Sequence, residues 1–88
     1  MHQLNKSKVG MTLGAVTGLV HLVWSFLVGV RWAQPFLDFI FGIHMIQNPY
    51  IVQSFSFGKA LALIVVTAIV GYIVGLVFAS IWNKLHTA

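Results

Sequence analysis

The sequence predicts an all-α membrane protein of one domain, residues 1–88. Two antiparallel transmembrane helices, over about 9–30 and 59–82, are joined by an amphipathic interfacial or re-entrant helix over about 35–46. Three observations predict this. Hydrophobic residues make up 59% of the chain and charged residues 7%, where a soluble domain carries about 25% charged residues. That leaves too little polar surface to cover a globule in water. Four of the few charges, Lys8, Arg31, Lys59 and Lys84, fence two long apolar stretches. Between the fences, the apolar residues fall on one face of a short helix.

Val9 to Val30 holds no formal charge. At 1.5 Å per residue it covers about 33 Å, enough for a hydrocarbon core of roughly 30 Å. Lys6 and Lys8 ahead of it imitate the basic start of a signal peptide. The apolar run is too long for one, however, and Val28-Gly29-Val30-Arg31-Trp32 offers no small-x-small cleavage site, so it reads as a retained anchor. The next segment, Trp32 to Gly58, is unusually apolar for a loop. Pro35 suits the first helical position, Gln34 is a poor cap, and Asp38 falls in the first turn near the positive end of the helix dipole. At about 100° per residue, Phe36, Phe39, Ile40, Ile43 and Ile46 share a face and Gln34, Asp38 and Gly42 lie opposite. This is the pattern of a helix lying in the membrane interface, and a re-entrant or partner-buried piece would look the same. Asn48-Pro49 then turns the chain, and Tyr50 to Phe57 leads extended or loosely into the second span, Ala60 to Trp82.

The tails carry Lys6, Lys8 and Lys84, and the connecting segment carries Arg31 and Lys59. The positive-inside rule therefore places both termini in the cytoplasm, by a margin of one residue. A prokaryotic cytoplasmic membrane is the expected location. Trp32 and Tyr50 on the connecting side, and Trp82 on the tail side, are interfacial anchors. The formal charge of +4 comes from having one acid, not from many bases. Its basic residues are scattered singly, which argues against nucleic acid as a partner. There is no cysteine, so thiolate metal sites and thiol nucleophiles are excluded.

The most specific pattern is a pair of small-residue stripes. Gly10, Gly14 and Gly18 recur every four residues, and His21, Ser25 and Gly29 continue the line within about 100° of the helical wheel. In the second span Thr67, Gly71, Gly75 and Ala79 recur every four, with Ala60 and Ala68 on the same side. Lipid gives no hydrophobic reward for helix association, so helices there pack by close backbone approach through small residues. The stripes either join this chain to other copies or subunits, or close its own two helices on each other.

His21 is an ionisable side chain within the first span, and such a residue is a functional candidate by default. Antiparallel pairing would bring it to the level of Tyr72 or Thr67, predicting a hydrogen bond to one of them, within the chain or across a subunit boundary. Beyond packing, two roles compete. His21 and Trp24 resemble the His-x-x-x-Trp pair of the influenza proton channel with one residue missing, which suggests a pH-sensitive proton or small-cation channel lined by Thr17, His21 and Ser25. Alternatively His21 ligates haem or chlorin, with Arg31-Trp32 and Pro35 loosely similar to the membrane-face motif of purple-bacterial antenna polypeptides. Otherwise no cofactor and no metal is expected.

Gly58-Lys59-Ala60-Leu61, Gly71-x-x-x-Gly75 and Leu76-x-Phe78-Ala79-x-x-Trp82-Asn83-Lys84 resemble a group of small bacterial two-span membrane proteins of unknown function. The motifs cover about a third of the chain, and the layout most of it. That resemblance implies the architecture and no mechanism. Members of the group place an acid within the second span, where this chain has Gly71-Tyr72. No nucleophile–base pair or phosphate-cradling loop is present, and one acid cannot supply acid–base chemistry alone, so the chain reads as a non-enzyme. The expected function is a small membrane subunit, in contact with lipid, that assembles through its glycine stripes as a homo-oligomer or with other membrane subunits.

Overall fold

The computed structural model describes residues 3–87, and over them the chain is three α-helices with no strand. Helix α1 spans Lys6–Gly29, α2 spans Ala33–Ile43 and α3 spans Phe57–Leu85. The first and third are long and apolar enough to cross a membrane. At 1.5 Å per residue they measure about 36 and 43 Å.

Helix starts follow the capping chemistry of short polar side chains. Asn5 Oδ1 accepts the Lys8 backbone N–H at 3.0 Å, which starts α1 ahead of the lysine fence. Ser56 Oγ accepts the Lys59 backbone N–H at 3.3 Å, which starts α3 at Phe57. The ends of α1 and α2 share one device. Arg31 N–H donates to Val28 O and Trp32 N–H to Leu27 O; Met45 N–H donates to Gly42 O and Ile46 N–H to Phe41 O. These are Schellman closures, which need a left-handed residue just past the helix. Here Arg31 (φ 66°) and Met45 (φ 60°) fill that place, which glycine usually takes.

Two expectations for the middle helix are corrected by this. It runs 33–43, not 35–46, because the closure at Met45 stops it a turn early and Trp32, without a side-chain cap bond, starts it before Pro35. Asp38 consequently stands beyond the first turn. Its carboxylate accepts instead from Gln34 Nε2 (3.1 Å) and Asn48 Nδ2 (2.8 Å). The extended segment after Asn48 is as predicted, with no regular structure until Phe57.

Helices α1 and α3 pack along their length, while among the described residues α1 is the only helix that α2 touches. The contacts run from Leu4 beside Asn83, through Gly10 beside Gly75 and Gly14 beside Gly71, to Gly18 beside Ala68. The Cα trace fills 50 × 33 × 15 Å, a slab one helix layer thick. Its radius of gyration of 17.1 Å exceeds the roughly 12 Å of a compact chain this long. Among the described residues, only Ala33 and Ala79 of the hydrophobic ones are fully buried, and no large side chain is. A single-layer pair has no interior for bulky groups to fill. What holds it is backbone proximity.

Candidate functional site: the helix seam and the loop-end cleft

The glycines of α1 and α3 meet each other. A Cβ built on Gly75 would stand 2.5 Å from Gly10 Cα and 2.8 Å from Val9 O. One on Gly71 would strike Thr17 Oγ1 and lie 2.7 Å from Leu13 O, and one on Gly14 would lie 2.8 Å from Ala68 O. Gly18 is looser, with 3.3 Å to Ala68 Cβ. Gly10, Gly14, Gly18, Ser25, Gly71, Gly75 and Ala79 are all buried in this seam or at its end. Gly29 departs from the stripe's expected role. It is exposed, and its nearest neighbour is the Phe55 ring of the loop, 3.5 Å from its would-be Cβ, because the 50–56 segment crosses α1 there in place of α3.

Among the described residues, one polar link crosses the seam between helices. Thr17 Oγ1 lies 2.9 Å from Thr67 O, and also 2.8 Å from Leu13 O in its own helix. Thr67 turns its own hydroxyl back to Leu63 O at 2.8 Å, so it serves the seam through its carbonyl. Beyond the seam, Asn83 closes the tail end. Its Oδ1 accepts Leu4 N–H at 2.7 Å and its Nδ2 donates to Leu4 O at 2.9 Å.

His21 Nδ1 lies 2.8 Å from Thr17 O. A carbonyl only accepts, so Nδ1 carries the proton and donates, which leaves Nε2 as the nitrogen open to a proton or a metal. Ser25 Oγ donates to His21 O at 2.8 Å. The expected bond from His21 to Tyr72 or Thr67 is not made among the described residues. Tyr72 packs on Gly10 and Gly14, which lie roughly 10–17 Å down the axis from His21. Thr67 O takes the Thr17 hydroxyl instead. The register places Gly10 over Gly75, not His21 at the depth of Tyr72. Thr17, His21 and Ser25, considered together as a channel lining, all direct polar atoms onto backbone carbonyls.

Trp32 and Tyr50 are exposed at the loop end. Trp82 lies at the tail end, stacked on His86 with ring centroids 3.9 Å apart and on Phe78 at 6.1 Å. Trp24 lines a cleft of about 280 Å³ with Val28, Leu37, Tyr50, Lys59 and Leu63. A more polar cleft of about 480 Å³ adjoins it, lined by Arg31, Gln34 and Ser54 and sharing the 52–55 backbone. Gln34 builds both. Its Nε2 donates to Tyr50 O at 3.1 Å and its Oε1 accepts Val52 N–H at 2.7 Å, fastening the extended segment to α2. Tyr50 N–H donates to Asn48 Oδ1, and the Phe41 ring stands 5.8 Å from that of Tyr50. Gln34 and Asn83 were missed as clamps. Only the bare polarity of an amide beside an apolar run marked either of them.

The chain matches no protein-family model, no curated protein and no solved structure.

Proposed function

We propose that the chain is a small non-enzymatic integral membrane subunit. Its two long helices cross the bilayer antiparallel, with both termini on the cytoplasmic side, and it works assembled with copies of itself or with other membrane subunits. The exposed apolar surface carries the reading. The accessible area is 6829 Å², against about 5,100 Å² for a compact soluble protein of this mass. Leu19, Phe26, Val66, Ile69, Ile73 and Ile81 are each half exposed or more on the outer faces of α1 and α3. Water would penalise such a surface, and lipid does not. The antiparallel crossing is supported by the contacts, in which residue numbers fall along α3 as they rise along α1.

Glycine packing supplies the internal fold of this subunit. Gly10, Gly14 and Gly18 of α1 and Gly71 and Gly75 of α3 are each covered by the other helix, so contact with further chains falls to the bulky outer faces. The test is carbonate extraction of membranes from expressing cells, followed by mass measurement in mild detergent. The chain is expected to stay in the pellet and to run at a multiple of its 9.7 kDa. Release by carbonate would overturn the membrane reading, and a single-chain mass in several mild detergents would overturn assembly.

A further inference from the structure

We infer that the loop-end cleft holds one anionic glycerophospholipid, its phosphate at Lys59 and the upper part of one acyl chain along Trp24, Val28 and Leu63. This rests on the bilayer reading above and adds a ligand class to it. Three observations converge on that ligand.

The first is shape and lining. At about 280 Å³ the cleft falls just under the usual range of small-molecule sites, roughly 300–1,000 Å³. It admits a segment of an amphiphile, not a whole lipid. Of its lining, Trp24, Val28 and Leu63 are half-buried, while Lys59, Ser54 and Ser56 are exposed. An apolar slot with a cation at one end matches a chain with an anionic head.

The second is charge. Asp38 is the chain's only acid, and its carboxylate is already bonded to Gln34 and Asn48. Among the described residues, Lys59 Nζ meets only the neutral Gln53 Oε1, at 3.5 Å. A phosphate oxygen offers Lys59 a charge-assisted bond, which is stronger than that amide contact. Arg31 lines the adjoining polar cleft, which shares Val28, Val52, Gln53, Ser54 and Phe55 with the apolar one. Two cations thus flank one short strip of chain. A zwitterionic head would bring its own cation among them.

The third is depth. Lys59 belongs to the first turn of α3, the point where that long apolar helix begins. A spanning helix starts at the bilayer–water boundary, where lipid phosphates lie. The Phe57 and Gly58 N–H groups of that turn have no intrahelical acceptor. A Cβ on Gly58 would meet nothing within 4 Å, so the backbone there is open to approach.

The test uses the full chain with Trp24 as the only tryptophan (Trp32→Phe, Trp82→Phe), reconstituted in phosphatidylcholine nanodiscs. Either phosphatidylglycerol or phosphatidylcholine with brominated acyl chains is titrated in, and quenching of Trp24 is read. A cation near an anionic lipid surface favours it about fivefold. Brominated phosphatidylglycerol is therefore expected to associate about fivefold more strongly than brominated phosphatidylcholine. Lys59→Gln should remove the preference and Lys59→Arg should keep it. Lys84→Gln, an equal charge loss at the tail end, should leave it unchanged. Equal quenching by the two lipids overturns the site while leaving the membrane reading standing. So does a preference that survives Lys59→Gln, or one that Lys84→Gln removes. No quenching by either lipid overturns both.

Discussion

Adding one methyl group to Gly75 separates backbone packing from every other source of stability in this protein. The new Cβ would stand 2.5 Å from Gly10 Cα and 2.8 Å from Val9 O, where ordinary contact begins at 3.4 Å. Both obstacles are backbone and cannot rotate away, so the helices must part by about 0.9 Å or shear. Overpacking of this kind costs about 1–3 kcal/mol, and alanine returns up to about 1 kcal/mol of helix propensity over glycine. The expected net loss for Gly75→Ala is about 1–2 kcal/mol. Gly14→Ala follows, needing about 0.6 Å against Ala68 O, while Gly71→Ala needs about 0.7 Å against Leu13 O and also strikes Thr17 Oγ1, so it should cost at least as much as Gly75→Ala. Gly18→Ala, 3.3 Å from the Ala68 methyl, should come within about 0.5 kcal/mol of neutral, as its loss and its propensity gain are both small. Gly42→Ala meets nothing within 4 Å and sits in a helix, so it should stabilise α2. The chain has no cysteine, so dyes on Ser7→Cys and Ser80→Cys report helix separation without background. The readout is the midpoint of an SDS titration in mixed micelles. If Gly75→Ala and Gly18→Ala shift that midpoint alike, steric contact is not what orders the series, and the reasoning fails.

Three further outcomes are expected. Gly18→Cys with Ala68→Cys should oxidise to an intrachain disulfide, since the two Cβ positions lie 3.3 Å apart, near the roughly 3.5–4.5 Å that disulfides favour; a covalent dimer on a non-reducing gel would place the seam between chains. Arg31→Gly and Met45→Gly relieve left-handed backbone at φ 66° and 60°; each should stabilise its helix end by about 1 kcal/mol, read as slower amide exchange in the last turn, and faster exchange would contradict the closure. Asn83→Leu removes both bonds to Leu4 and leaves two backbone groups to find other partners; a loss of about 1–2 kcal/mol should appear in the same SDS titration, with amide exchange rising first at Leu4, and unchanged exchange there would count against the clamp.

The two long helices were legible because each is an apolar run without interruption, and Lys8, Arg31, Lys59 and Lys84 stand near their ends. The glycine faces were legible for a related reason, since close approach needs small residues one turn apart. The register between them was not. A ladder with a step of four looks the same after sliding one turn, so the pattern could not say whether Tyr72 meets His21 or Gly10. Asn83 with Leu4 and the Tyr72 ring on Gly10 fix it, and neither contact follows from periodicity. Helix ends escaped for another reason. Arg31 and Met45 occupy turns that normally advertise themselves with glycine. Gln34 looked like a weak cap because its partners, the backbone of Tyr50 and Val52, lie beyond any local spacing rule.

The Thr17 hydroxyl has one proton and two strong acceptors, Thr67 O across the seam at 2.9 Å and Leu13 O in its own helix at 2.8 Å. Losing the first to the second leaves the hydroxyl satisfied. Geometry makes that exchange a local one, however, because side chains key the seam lengthwise: the Tyr72 ring sits against Gly10 and Thr17 Oγ1 against Gly71. Pulling the helices apart forfeits every contact at once, and sliding them by a turn drives those two side chains into backbone. The pair therefore resists both motions, like a key seated in its lock. The Leu4–Asn83 pair at one end and the Gln34-fastened loop at the other hold the key in place.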